Sequence, residues 1–380
     1  PAARERIEIR EQPAGFRVDT GALAVDFRSR ASRFVEQAYL RGAPLLDTKA
    51  PVEAYMRLAP AEGEGAALML SSAASPDISC EIEEAGPLRC VVRARGAYGG
   101  PDGRPMNEFV LRFTFFAGRS DVEVEHTFVW KEDPRSLVIR SFGLRWPVRG
   151  VESAAFPAPA EAGSGATRVE TRPAPLSIVQ TSSRECTING AAAQGRFAGW
   201  CQARTAGGSA AVFVRDFWPQ HPAGLCADAQ GIDLRFWPET AEPLDLRNLR
   251  ETYFRGEGVG VAKTHQAVLA FDDRAWRDED LAAWAAAADQ PLRVAAHPRA
   301  VLESGALGPL HPHDPQNFAD DEKALENIFA GLERQVLDTD VTRCMNWGDM
   351  HSRWDPANKR WADYRYWLNN ETSGDATTRS

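Results

Sequence analysis

The sequence predicts a mainly β chain built on one large antiparallel sandwich, with helices confined to its last quarter. Three observations carry this. From Arg6 to about Leu269 apolar residues alternate with polar ones at period two, as in Ile7 and Ile9, Phe16 and Val18, then Leu23, Val25 and Phe27. A dozen or more such stretches succeed one another, separated by Gly, Pro and Asp clusters, which exceeds a sandwich of about seven strands. After Phe271 the period changes to that of a helix.

The clearest strands are Phe109 to Phe116 and Val122 to Trp130, joined through Ala117-Gly118-Arg119-Ser120 as a hairpin. In the second, Val122, Val124, His126, Phe128 and Trp130 share one face. Further strands are expected at Leu137 to Leu144, Ser177 to Gln180, Ala210 to Val214, Ile232 to Phe236 and Ala267 to Phe271. The Pro- and Ala-rich stretch Ala154 to Thr171 reads as a long surface loop. Helices are predicted over Trp276 to Ala288 and over Asp321 to Leu337, where Leu325, Ile328, Phe329, Leu332 and Val336 recur at helical spacing. Between them, Pro291, Pro298, Pro309, Pro312 and Pro315 predict an extended connection over Pro291 to Asn317. This divides the chain into two domains, 1–290 and 291–380.

Composition narrows the function. The chain has 380 residues, 43% of them hydrophobic and 26% charged, enough to bury a core and unlike a disordered chain. Forty-four basic against 53 acidic residues leave a net charge of -9, without a basic surplus for a nucleic acid backbone. No apolar run approaches the length that spans a bilayer, so no membrane is expected as a partner. Six cysteines, at 80, 90, 186, 201, 226 and 344, include no CxxC pair and predict no zinc site. Cys80 and Cys90 flank a hairpin at Ala85 to Pro87, which leaves a cross-strand disulfide and free thiols both open. No cofactor motif is present, and a structural calcium ion is left open. Pro1 as first residue and a polar stretch to Ser380 suggest an excised piece of a longer protein.

Three segments concentrate chemistry. In Val212 to Pro222 a β-run ends in Arg215, Asp216, Trp218 and His221, groups that stack on sugar rings or bind hydroxyls and carboxylates. The plainer alternative is an Arg215–Asp216 pair and a core Trp218. In Phe254 to Gln266, Lys263 and His265 lie two apart and so share a strand face, where a carboxylated sugar could be met. A core histidine is the alternative, and the glycines at 256, 258 and 260 lack the spacing of a phosphate loop.

The third segment, Met345 to Glu371, holds Trp347, Asp349, His351, Arg353, Tyr364, Arg365, Asn370 and Glu371. If Trp361 to Asn369 is helical, it forms one edge of a cleft whose aromatics also help seat the helix. β-Elimination of a uronate needs a carboxylate neutraliser, a base and an acid; Arg353 or Asn370, His351 and Tyr364 fill those roles. Trp347, Asp349 and Arg365 would bind substrate beside them. Hydrolysis would instead pair two carboxyl groups such as Asp349 and Glu371. A non-catalytic carbohydrate-binding sandwich is the third option. No GxSxG, HExxH or strand-placed GxGxxG is present.

VRDFWPQHP at Val214 to Pro222, LRFWP at Leu234 to Pro238, GEGVGVAKTHQ at Gly256 to Gln266 and NWGDMHSRW at Asn346 to Trp354 together resemble the exo-rhamnogalacturonan lyase family, PcRGLX/YetA-like. The resemblance covers most of the chain from about Arg6. It implies a central β-supersandwich similar to galactose mutarotase, followed by the first helices of a truncated α/α toroid, with the family's N-terminal barrel absent. It also implies an acidic polysaccharide or oligosaccharide as partner and a secreted or periplasmic location.

Overall fold

The computed structural model describes residues 6–63, 65–161, 168–247, 258–290, 292, 294–338, 344, 345, 349–351, 354, 355, 357, 360, 361 and 365–367. The chain forms two compact units, Pro1–Asp289 and Gln290–Ser380.

Alternation dictates the first unit. A strand that is apolar on one side must bury that side, and here two antiparallel ladders do so against each other. Among the described residues one ladder runs, in spatial order, Ile78–Ala85, Arg89–Gly99, Pro105–Phe116, Asp121–Val129, Ala262–Asp272, Gly208–Val214, Trp200–Thr205, Val151–Pro157 and Val169–Pro173. The other runs Leu68–Ser71, Glu53–Pro60, Leu137–Trp146, Gly231–Trp237, Ala223–Asp228, Leu176–Gln180, Glu185–Ile188 and Ala191–Gln194. The pair Ser71–Gly99 links the two.

Aromatic rings mesh between the layers. Phe128 meets Phe142 at 4.8 Å between centroids, His126 meets Phe236 at 5.2 Å, and Trp146 lies against Phe113 at 6.3 Å and Phe271 at 6.2 Å. A separate five-stranded sheet, from Glu8–Gln12 to Ala43–Pro44, extends the second layer. Its Phe27 packs on Phe113 and Phe115 of the first ladder at 5.7 and 6.0 Å. The protein is thus mainly β, with large antiparallel sheets, as the period predicts.

Close approach between strands explains one glycine. At Gly143 a β-carbon would meet the Leu234 carbonyl oxygen and the Tyr55 hydroxyl, both within the second layer. Gly143→Ala is expected to cost about 3 kcal/mol through overpacking. A urea midpoint equal to that of the unchanged protein would contradict this packing.

The cysteine alternative resolves in favour of thiols, and all six are buried. Cys80 lies opposite Ala94, and Cys90 opposite Ala85, so the two sit at different levels of the same strand pair. Burial pushes the Cys80 thiol up to about 12.

Proline-rich segments depart from expectation twice. Ala154 to Thr171 is not a simple loop, because Val151–Pro157 and Val169–Pro173 pair as strands. Pro157 and Pro173 are each the last residue of their strand, and Val169–Pro173 is the ladder's edge, positions that tolerate a missing N–H. The connection over Pro291 to Asn317 is not wholly extended either, because it contains a short helix at Pro298–Ser304.

Three α-helices occur among the described residues: α1 is Asp278–Asp289, α2 is Pro298–Ser304 and α3 is Ala319–Asp338. Asp278, Glu279 and Asp280 in the first turn of α1 face the positive end of its dipole. Leu281 and Ala285, four apart, are buried against Trp200, Phe213, Ala211, Ala270 and Ala155. In α2, Pro298 occupies the first turn, where its missing N–H is harmless, His297 caps it by accepting from the Arg299 amide, and Gly305 closes it at φ 62°.

In the second unit α3 carries Leu325, Ile328 and Phe329 exposed. Downstream of α3 the helical expectation is corrected. Instead of a helix over Trp361 to Asn369, Arg360–Trp361 pairs with Trp354–Asp355, and Arg365–Trp367 pairs with Asp349–His351. Consecutive Tyr and Trp favour pleated strands, and antiparallel partners are available upstream.

Candidate functional site

Side-chain parity decides what each face of the first ladder presents. Val122, Val124, His126 and Phe128 point inward, so Glu123, Glu125 and Thr127 point outward. Their cross-strand partners do likewise: Thr114 and Arg112 on one side, Val268, Gln266 and Thr264 on the other. Helix α1 covers part of this outer face through Phe213 and Trp200. The remainder is polar.

A row of side chains crosses this open part. Arg93 pairs with Glu81 and, at 3.2 Å, with Glu83, and Arg112 meets Glu83 at 2.6 Å. The Gln266 amide donates to Glu125 at 2.7 Å and accepts from the Arg215 guanidinium. Next to it the Thr127 and Thr264 hydroxyls are 2.7 Å apart. Arg215 is therefore held by a neutral group. Among the described residues no carboxylate lies within ion-pair distance of it.

Glu123 sits on the same face with no hydrogen bond or ion pair among the described residues. Its side chain reaches solvent, yet protein packed around the carboxyl disfavours the charged form and pushes its pKa above the usual range. Asp121 adds to this, while Arg119, Arg89 and Arg215 oppose it. Arg119 itself grips Asp121 through two 2.8 Å bonds and lies over the Trp284 ring of α1 at 5.4 Å. Beyond Trp284 a cleft of about 660 Å³ opens, walled by Trp276, Trp284, Asp272, Arg274, Arg277 and Asp280. Its size suits a small ligand.

The loop after Gly208–Val214 is well tethered. Asp216 adopts φ 51°, and its amide donates to Asp289 at the end of α1 at 3.0 Å. Trp218 is half-buried beneath the Arg196 guanidinium, 3.8 Å from the ring centre, and His221–Pro222 is cis. Under the loop a cavity of about 10 Å³, lined by Arg215, Gln220, Arg235, Phe236 and His265, is on the scale of one water and too small for a sugar.

Among the described residues singled out from sequence, Arg215 lies on the open face with its charge available to a ligand. The expectation for His265 is corrected. It is 4% exposed and stacked on Phe236 at 4.4 Å, opposite His126 in the core, and burial holds its pKa well below the usual value. Lys263 shares that inward parity and is half-buried at the strand's start, so the pair does not present a sugar-facing surface. Parity is legible in the sequence, but which side faces the core depends on the partner strand.

Asp349, His351 and Arg365 belong to the small antiparallel pair of the second unit, with His351 opposite Arg365. Trp347, Arg353, Tyr364 and Asn370 lie outside the described residues. Glu123, Glu125, Arg112 and Gln266 were missed by sequence reasoning. Their signal was the polar half of the same alternation that revealed the core strands. Among the described residues no cluster of His, Cys, Asp and Glu is arranged to hold a metal, and no helix is long and apolar enough to cross a membrane.

Comparison with known proteins gives the following similarities. The chain is 24% identical to the uncharacterized protein YetA of Bacillus subtilis over 98% of its own length, and spans about half, 52%, of that relative. A glycosyl hydrolase family 38 protein from Enterococcus faecalis aligns with 73% of this chain and 32% of its own, at 11% identity and a TM-score of 0.43. A putative aldose 1-epimerase from Escherichia coli K12 aligns with 70% of this chain and 99% of its own, at 10% identity and a TM-score of 0.35. Residues 7–154, which carry Arg112, Arg119, Glu123 and Glu125, match the family model of the PcRGLX-like protein central beta sandwich domain.

Proposed function

We propose that this chain is part of a carbohydrate-active enzyme that cleaves rhamnogalacturonan, or a related uronate-containing polysaccharide, by β-elimination. The observation that carries this reading is the open sheet face, where arginines and the carboxylate of Glu123 stand beside a tryptophan-walled cleft. Indoles hold sugar rings; guanidinium groups hold their carboxylates. The match of residues 7–154 to a PcRGLX-like domain supports the same class.

In the proposed chemistry a neutralised C6 carboxylate acidifies the C5 proton. His351 removes that proton, Tyr364 protonates the departing O4, and Arg353 or Asn370 offsets the carboxylate charge. The C4–O4 bond breaks as the C4–C5 double bond forms. Such an enzyme works where its polymer is found, outside the cytoplasm.

Incubation with rhamnogalacturonan is expected to release an unsaturated uronate, detected by its near-ultraviolet absorbance. Replacing His351 by Ala and Tyr364 by Phe together should lower that rate by about 10³-fold or more. New reducing ends without absorbance would establish hydrolysis instead. Saturable sugar binding with neither product would leave a binding module.

A further inference from the structure

The outer face of the first ladder holds an unusual pair. Arg215 donates to a neutral glutamine, and Glu123 lacks a partner among the described residues; the two stand on one face, with the strand Ala262–Asp272 between Asp121–Val129 and the end of Gly208–Val214. After Arg119 and Arg89, Arg215 also favours the ionised form of Glu123. Other charges around Glu123 are already engaged. Arg119 is bound to Asp121, Arg89 to Glu84, Arg112 to Glu83, and Glu125 to Gln266. Among the described residues around Glu123, Arg215 is the cation free to accept a new anion.

We propose that Arg215 and Glu123 form a proton-linked binding site for the carboxylate of an acidic sugar, in which the ligand pairs with Arg215 and Glu123 takes up one proton from solvent. The physical reason is competition. A ligand carboxylate neutralises the charge that partly stabilises ionised Glu123 and places a second negative charge beside it, and two carboxylates sharing one cation favour protonation of one. The protonated Glu123 then becomes a hydrogen-bond donor to the ligand. Desolvation already biases Glu123 towards the neutral form, so the exchange falls above the ordinary glutamate range.

This site rests on the uronate reading and deepens it by naming where the carboxylate is recognised, while its test needs binding alone. Titration calorimetry with a galacturonate-containing disaccharide, between pH 5 and 7 in buffers of different ionisation enthalpy, reads the proton directly. Proton uptake is expected on binding, with affinity falling up to about tenfold per pH unit as pH rises between the free and bound Glu123 values. Glu123→Gln should bind with no uptake and a flat pH profile. Arg215→Gln should weaken binding about tenfold or more while circular dichroism stays unchanged. Uptake that persists in Glu123→Gln, its absence in the unaltered protein, or no binding of the disaccharide at any pH would overturn the proposal. Binding with uptake but without unsaturated product would retain the site and remove the lyase reading.

Discussion

Lowering the pH from 7 to 5 is expected to cost the fold about 2 kcal/mol through the core histidine His126, and His265 adds to that loss. His126 and His265 face each other across neighbouring strands, with Phe236 stacked on both. Burial pushes His126 down to about 3, and burial together with His126 and Lys263 lowers His265 well below its ordinary value. Both therefore fold neutral. Below about 6.5 the unfolded chain binds protons that the folded one refuses, so stability is complete above that value and falls as pH drops towards the folded pKa.

One hydrogen bond adds to this. The Tyr98 hydroxyl, held protonated by burial, shares a 2.9 Å hydrogen bond with His126 Nε2; with the imidazole proton on Nδ1 the hydroxyl donates, and a further proton on Nε2 would remove that acceptor. Urea unfolding at steps of about half a pH unit checks the slope. His126→Phe should flatten it by about 1.4 kcal/mol per unit between pH 6 and 4, with a pH-independent loss of about 1–3 kcal/mol from the orphaned Tyr98 hydroxyl. An unchanged slope would show that His126 is not buried neutral.

Asp233→Ala should be the most damaging charge removal in the second layer, at about 3–5 kcal/mol. The carboxylate, 5% exposed, accepts from the Tyr55 hydroxyl and from Arg235 Nε, both at 2.9 Å, and lies 3.5 Å from Arg145. Arg235 also donates to Ser177 at 3.2 Å, so it cannot swing away without breaking a second contact. Removing Asp233 leaves two guanidinium groups uncompensated, and that penalty dominates. By contrast the Arg10–Glu8 pair is exposed on both sides, and Glu8→Gln should leave stability almost unchanged. Equal thermal shifts for the two variants would refute the distinction.

Much of the strand order is legible in the sequence because alternation reports burial locally. The strand Asp121–Val129 and its hairpin partner Pro105–Phe116 are readable from Val122, Val124 and Phe128 and from the Gly118 turn, where φ is 74°. Local reading fails where proline or aromatic residues are weighed without their position. Pro298 starts a helix rather than preventing one, and Tyr366–Trp367 pairs with Asp349–Met350 rather than coiling. The candidate site is half visible. Arg215 stands in a conspicuous motif, whereas Glu123 and Gln266 look like ordinary solvent-side residues.

The sequence by itself determined that this chain is mainly β, where most strands and the helices α1 and α3 lie, and which residues within a strand share a side. Those properties arise from neighbours a few positions apart. Only the tertiary structure decided which side faces the core, placing His265 inward beside His126, 139 positions away along the chain, and setting Arg215 on the outer face with Glu123. Strand register across long separations depends on how two whole faces pack, and no local pattern encodes it.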